Sequence, residues 1–200
     1  ITEDITLTAV YEDIPPTTTA ELFVEAVNRG DAEIFLEADI TLNNLGVITI
    51  KSGTTIKSAD GELYTLTLDG NTRLATAAGS TVTFRDFNIT LATTIETISN
   101  GYDHGGFIRP GSGSSKLYIY NCDIHCAATS MGASTSAIIR PVANTYSYIY
   151  IYDSTISANV GNEQGAIIGG LNATYYVTDS VLKPKSSSYW LSVDNPTLIL

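Results

Sequence analysis

The feature that most constrains this chain is a repeat of roughly 30 residues made only of short, strand-like segments. Four stretches align: Val82–Ile89 (VTFRDFNI), Leu117–Ile124 (LYIYNCDI), Ile149–Ile156 (IYIYDSTI) and Tyr175–Leu182 (YYVTDSVL). Each is an alternating strand that meets Asp or Asn and regains an apolar residue three places later. The Asp/Asn positions are Asp86, Asn121, Asp153 and Asp179, spaced by 35, 32 and 26 residues. A second series keeps the same phase. Ile108, Ile139 and Ile168, within GFIRP, AIIRP and AIIGG, are spaced by 31 and 29. A unit this short cannot bury its own apolar face, so the units must stack. A propeller blade needs four strands and a longer period, and the consensus of a leucine-rich repeat is missing. What remains is a parallel β-solenoid with two or three strands per coil. Asp and Asn fit the bends, because they tolerate the left-handed backbone that a sharp corner requires. Stacking puts the four bend residues in one row, where side chains can bond along the stack.

Only one segment reads as a helix, Ala20 to Asn28. Thr19 can cap it, and Leu22, Phe23, Ala26 and Val27 form an apolar stripe. Glu21 and Arg29 suit the helix dipole, and Gly30 suits the position after the last turn. A lone amphipathic helix before a long β region is expected to cover an open apolar end. Residues 1–16 read as an N-terminal strand and linker, 17–31 as a capping helix and 32–200 as the β region. Residues 1–20 lack a basic-then-apolar leader pattern, so the chain reads as a mature protein or a piece of a longer one. The last stretch, YWLSVDNPTLIL, reads as a final coil with Trp190 in the place of Phe107 and Ile138.

The order of helix, alternating strands, TIKSADG and then VTFRDFNIT, LYIYNCDI and IYIYDSTI resembles the right-handed parallel β-helix of the pectate-lyase-like superfamily. The resemblance covers residues 19–200 and implies an all-β fold of about six coils. That superfamily hosts lyases, glycosidases, adhesins and phage spikes, so the fold leaves the function open. Residues 1–13 (ITEDITLTAVYED) resemble the end of a Listeria–Bacteroides repeat, a small module of bacterial surface proteins. The matching residues are Thr2, Asp4, Thr6, Leu7, Ala9 and Tyr11.

Ten basic residues face 21 acidic ones, a formal charge of −11. Such a chain repels phosphate backbones, so nucleic acid is not an expected partner. The charge is uneven. Residues 1–40 hold ten acids and one base, and the remaining 160 hold eleven acids and nine bases. No apolar run reaches the ~20 residues of a membrane-spanning helix. If the two cysteines, Cys122 and Cys126, share one strand, they lie too far apart for a disulfide, whereas a turn between them would bring them within reach. They read as inward-facing free thiols.

Two chemistries are weighed. The resemblance implies a polysaccharide-lyase alternative, in which a Lys or Arg side chain removes the proton beside a uronate carboxylate and cations or Ca²⁺ neutralise that carboxylate. Arg109 and Arg140 occupy equivalent places in consecutive coils, roughly 5–8 Å apart, with His104 just before the first. The paired carboxylates of a glycosidase do not align on neighbouring strands. The clearer surface feature is aromatic. If Ile119, Ile151 and Val177 face inward, alternation turns Tyr118, Tyr120, Tyr150, Tyr152 and Tyr176 outward. Stacking then makes one column of Tyr118, Tyr150 and Tyr176 and another of Tyr120 and Tyr152, able to meet sugar rings or a partner. Thr-x-Thr pairs at 6/8, 65/67 and 81/83 do not recur at the coil period, so a flat threonine array is not expected. His125 faces away from the cysteines, so no metal site is expected, and GSGSS at 111–115 reads as a hairpin-like loop. The favoured expectation is a non-catalytic, secreted or cell-surface, adhesin-like bacterial module. It would bind a glycan or surface protein through the tyrosines, without a cofactor. Ca²⁺ enters only with the lyase alternative.

Overall fold

The computed structural model describes residues 16–59, 61–95, 107–127, 137–142, 146–159, 166–170, 172–185 and 197–200. The strand expected near residues 5–11, the repeat-like residues 1–13, His104 and Trp190 lie outside them. Among the described residues one helix, α1 (Ala20–Arg29), precedes the strands. The strands begin with β1 (Glu33–Leu36), β2 (Ile40–Asn43), β3 (Val47–Ile50), β4 (Thr55–Ser58), β5 (Thr65–Gly70) and β6 (Arg73–Thr76). They continue with β7 (Thr81–Arg85), β8 (Asn88–Ile95), β9 (Ile108–Arg109), β10 (Ser115–Tyr120), β11 (Asp123–Cys126) and β12 (Ala137–Ile139). The last six are β13 (Ser147–Tyr152), β14 (Thr155–Ala158), β15 (Ala166–Ile168), β16 (Ala173–Thr178), β17 (Val181–Lys183) and β18 (Thr197–Ile199).

The chain deals these strands into three parallel sheets in rotation. The first sheet orders β1-β4-β7-β10-β13-β16-β18, the second β2-β5-β8-β11-β14-β17 and the third β3-β6-β9-β12-β15. Up to β17, strands three apart in the chain become neighbours, the connectivity of a parallel β-helix. GSGSS is a correction to the hairpin-like expectation. It leads from β9 in the third sheet to β10 in the first, and the two do not pair.

The alternating pattern explains the register. In the first sheet Ile34, Ile56, Phe84, Ile119, Ile151 and Val177 stand in one column. The second sheet stacks Ile40, Leu66, Ile89, Ile124, Ile156 and Leu182. The third stacks Ile48, Leu74, Ile108, Ile139 and Ile168. All these side chains are at most 7 % exposed and join one core. Each buried aliphatic side chain contributes about 1.5–3 kcal/mol, and a one-residue slip would turn a whole column outward.

The corners carry the repeat. Asp86, Asn121, Asp153 and Asp179 all have left-handed φ, between 47° and 58°. The backbone N–H groups of Asp86, Asn121 and Asp153 donate to the Tyr120, Tyr152 and Thr178 carbonyls of the next strand. Asn121 Nδ2 donates to Asp86 Oδ1 at 3.0 Å, so side chains do bond along this row. The residue after the bend forms a second ladder. Cys122 N donates to Ser154 Oγ, and Ser154 N donates to Ser180 Oγ. Cys122 Sγ, Ser154 Oγ and Ser180 Oγ each donate to the carbonyl two residues earlier.

Helix α1 is one residue longer than expected. Leu22 N donates to Thr19 Oγ1, and Gly30 closes the helix at φ 82°. Phe23, Ala26 and Val27 enter the common core, while Leu22 is half-buried. Lys51 Nζ donates to the Asn28 and Arg29 carbonyls, placing a cation on the negative end of the helix dipole.

Candidate functional site: a tyrosine face

The outer face of the first sheet is built by the same alternation that fills the core. Between inward Leu117 and Ile119, Tyr118 must point out, and Tyr150 and Tyr176 stand in register with it. Tyr120 and Tyr152 pair one step along the strands. The rings of Tyr118 and Tyr150 are 4.7 Å apart and 10° from parallel, and those of Tyr150 and Tyr176 are 4.8 Å and 7°. Tyr120 and Tyr152 stack at 5.0 Å and 8°. The two columns adjoin: Tyr118 and Tyr120 are 6.1 Å apart and nearly parallel. These ring spacings match the ~4.7–4.9 Å between neighbouring strands, so the backbone itself sets the aromatic stacking.

This stacking limits what the face can offer. Tyr150 has a ring against each of its faces, so it presents its edge and hydroxyl outward. Open ring faces remain where a column ends on a small neighbour. Tyr118 is followed by Thr83 of β7, and Tyr152 by Thr178 of β16. All five tyrosines are half-buried. Burial and the neighbouring tyrosines raise the Tyr120 and Tyr150 phenols above their ordinary range, so both stay neutral and can donate or accept hydrogen bonds.

The face has one member that the sequence reading missed. Tyr148 of β13 stands beside Lys116, outside the first column. Its signal was its parity, two residues before Tyr150. Cations gather at the β4–β10 end. Lys57 pairs with Glu33 at 2.7 Å and lies over the Phe35 ring, and Arg85 pairs with Asp86 at 2.8 Å. Asp153 and Asp179, exposed at the bends beside Tyr152 and Thr178, have no ion pair among the described residues.

The remaining candidates fall elsewhere. Arg109 and Arg140 follow the paired Ile108 and Ile139 and are thus neighbours in the third sheet. Arg109 is half-buried and Arg140 only 7 % exposed. Arg73, absent from every sequence argument, is a buried cation. It is 2 % exposed, Nη1 donates to the Gly70 and Thr72 carbonyls, and burial lowers its pKa to about 10. Cys122 and Cys126 are buried and form no disulfide, and burial pushes the Cys122 thiol up to about 12. His125 points to the other side of β11 and meets Ser157 Oγ through Nδ1 at 2.9 Å. A single threonine column forms on the second sheet, rather than a flat array of Thr-x-Thr pairs. Thr41, Thr67 and Thr90 stand in register, but His125 and Ser157 continue the row. The pairs within single strands concealed this column, because its members come one from each strand.

Comparison with known proteins finds no matching family model, no matching curated protein and no matching solved structure. The described residues form an all-β stack of three parallel sheets with tyrosine columns on the outer face of the first. Among the described residues no helix is long and apolar enough to cross a membrane.

Proposed function

We propose that this chain is a non-catalytic binding module, secreted or displayed on a bacterial surface in the manner of an adhesin. On this reading it is a right-handed parallel β-helix of about six coils, like those of the pectate-lyase-like superfamily, with α1 as its N-terminal cap. Its tyrosine face meets a glycan or a surface protein. The observation that carries the proposal is the pair of ring columns, Tyr118–Tyr150–Tyr176 and Tyr120–Tyr152, held at strand spacing.

The geometry favours a division of labour. The open faces of Tyr118 and Tyr152 take sugar rings or apolar side chains, while the hydroxyls along the columns exchange hydrogen bonds. Tyrosine suits this work because its large contact area carries little conformational entropy to lose. The ladder of backbone hydrogen bonds keeps the array rigid, so little ordering accompanies binding. A lyase built on Arg109, Arg140 and His104 has less support, because Arg140 is covered.

The test is a glycan and surface-protein array probed with the parent, Tyr118→Ala, Tyr152→Ala and the double variant, with circular dichroism as the control for folding. The double variant is expected to lose most of the parent's binding. Undiminished binding by a folded double variant sinks the proposal. The same preparation is incubated with uronate polysaccharides, with and without Ca²⁺, while the unsaturated product is followed by absorbance. A signal that Arg140→Ala removes would replace the binding reading with the lyase.

A further inference from the structure

The two tyrosine columns also define a seam, and the seam selects a different chemistry from carbohydrate. It runs along the stack between Tyr118 and Tyr150 on one side and Tyr120 and Tyr152 on the other. Because the rings within each column cover one another's faces, the seam is lined chiefly by ring edges. An aromatic edge carries the positive end of the ring quadrupole and prefers the face of another π-system. A sugar offers no such face. A flat conjugated molecule laid lengthwise offers one to several ring edges at once.

The length also fits. The seam has tyrosine edges on both sides at β10 and β13, and it continues past Tyr176 and Thr178 on β16 and Thr83 and Arg85 on β7, four strands or roughly 14 Å at ordinary strand spacing. That accommodates a ligand of two or three fused or linked rings. Along the strands, Tyr152 is followed at once by Asp153, and Thr178 by Asp179. These two exposed carboxylates have no ion pair among the described residues. Asp86, at the far end of the bend row, is already engaged by Arg85 and Asn121. Lys116 lies on the other side of the first column, two residues before Tyr118, and Arg85 is matched by Asp86. The seam is thus flanked by free negative charge on its bend side, within a chain of net charge −11.

We infer that this seam is a binding site for flat, elongated aromatic molecules that bear a cationic group, lying parallel to the stacking direction with an electron-rich ring on the edges of Tyr118, Tyr120, Tyr150 and Tyr152 and the cationic group toward Asp153 and Asp179. The inference rests on the tyrosine columns and the two bend carboxylates, and holds whether or not the face recognises glycans.

Thioflavin T, a flat cationic dye that brightens when its rings are held coplanar, is the probe. It is titrated into the full chain after size-exclusion chromatography, with sedimentation to remove aggregates. Saturable brightening of the soluble protein is expected. Tyr152→Thr gives β13 the residue that β16 already has at that position, so the strand is retained while one wall of the seam is removed. It should weaken binding roughly fivefold or more, and Tyr118→Thr similarly. Asp153→Asn should weaken binding severalfold at low salt, with the difference shrinking as salt rises. Brightening confined to the sedimented fraction overturns the site. So does an affinity unchanged in both folded threonine variants. A neutral dye of the same shape binding as tightly as thioflavin T overturns the assignment of a cation.

Discussion

Tyr175→Phe isolates one buried hydroxyl on which two sheets depend. Tyr175 occupies the core column of Val82, Leu117 and Ile149, where every other member is aliphatic. Its ring crosses the core, and its hydroxyl lies 2.8 Å from the Gly169 carbonyl and 3.0 Å from the Ile139 carbonyl, beside β15 and on β12. The hydroxyl has one proton for two acceptors. The Ile139 carbonyl also accepts from Gly169 N at 3.0 Å, so it keeps a partner if the phenol is lost. The Gly169 carbonyl depends on the phenol more heavily. Phenylalanine preserves the ring and its packing, leaving one desolvated carbonyl and a gap the size of an oxygen. An unsatisfied buried acceptor costs about 1–3 kcal/mol, so the variant should lose about 2 kcal/mol. With an m-value of about 2–3 kcal/mol/M, the urea midpoint should fall by about 0.7–1 M. Tyr150→Phe on the outer face is the control and should shift the midpoint little. The alkaline limb gives a second readout. Burial raises the Tyr175 phenol well above its ordinary value, and an unfolded tyrosine ionises near pH 10. This stabilising contribution is complete below pH ~10 and is lost as pH rises beyond it, so Tyr175→Phe should show a flatter alkaline decline. A midpoint within about 0.2 M of the parent, with the same alkaline slope, would refute the reasoning.

The other predictions concern the corners. Cys122→Ser places a hydroxyl where Ser154 and Ser180 already carry one, so stability should change by less than about 1 kcal/mol, whereas Cys122→Val strands the ladder and should cost about 1–3 kcal/mol in chemical denaturation. Asp86 should contribute to acid sensitivity. Burial opposes its ionisation, but Asn121 and Arg85 outweigh burial and hold its pKa below the ordinary carboxylate value. Its stabilising effect is present above pH ~3.9 and disappears as pH falls through the lower folded value, so Asp86→Asn should flatten the acid limb of a stability–pH curve. An unchanged limb would show that this bond contributes nothing net.

Much of the fold was legible because the same alternation is repeated. VTFRDFNI, LYIYNCDI, IYIYDSTI and YYVTDSVL superpose in the stack in the register their alignment implies, and their bend residues take the left-handed backbone. The tyrosine columns follow from the same parity. What was hidden needed neighbours. Nothing around Arg73 marks it as buried, because beside the carbonyls of its own corner its neighbours are Val47 and Cys126, distant in sequence. The ladder through Cys122, Ser154 and Ser180 was invisible because a thiol and two hydroxyls look unrelated until stacking makes them equivalent. The threonine column escaped for the converse reason: its members are single residues from three strands.

The opposite treatment of neighbouring tyrosines marks the boundary between local pattern and tertiary structure. By itself the sequence determined the period, the corner residues and the side of the strand each residue takes, since these depend on bonds within a few residues. Only the tertiary structure decided what stands against each side chain. It set Tyr150 between two other rings, turned Tyr175 into a bridge to two carbonyls across the core, and covered Arg140 while leaving Asp153 open. Stacking brings together residues some 30 positions apart, and burial and bonding partners are properties of that stack rather than of any one strand.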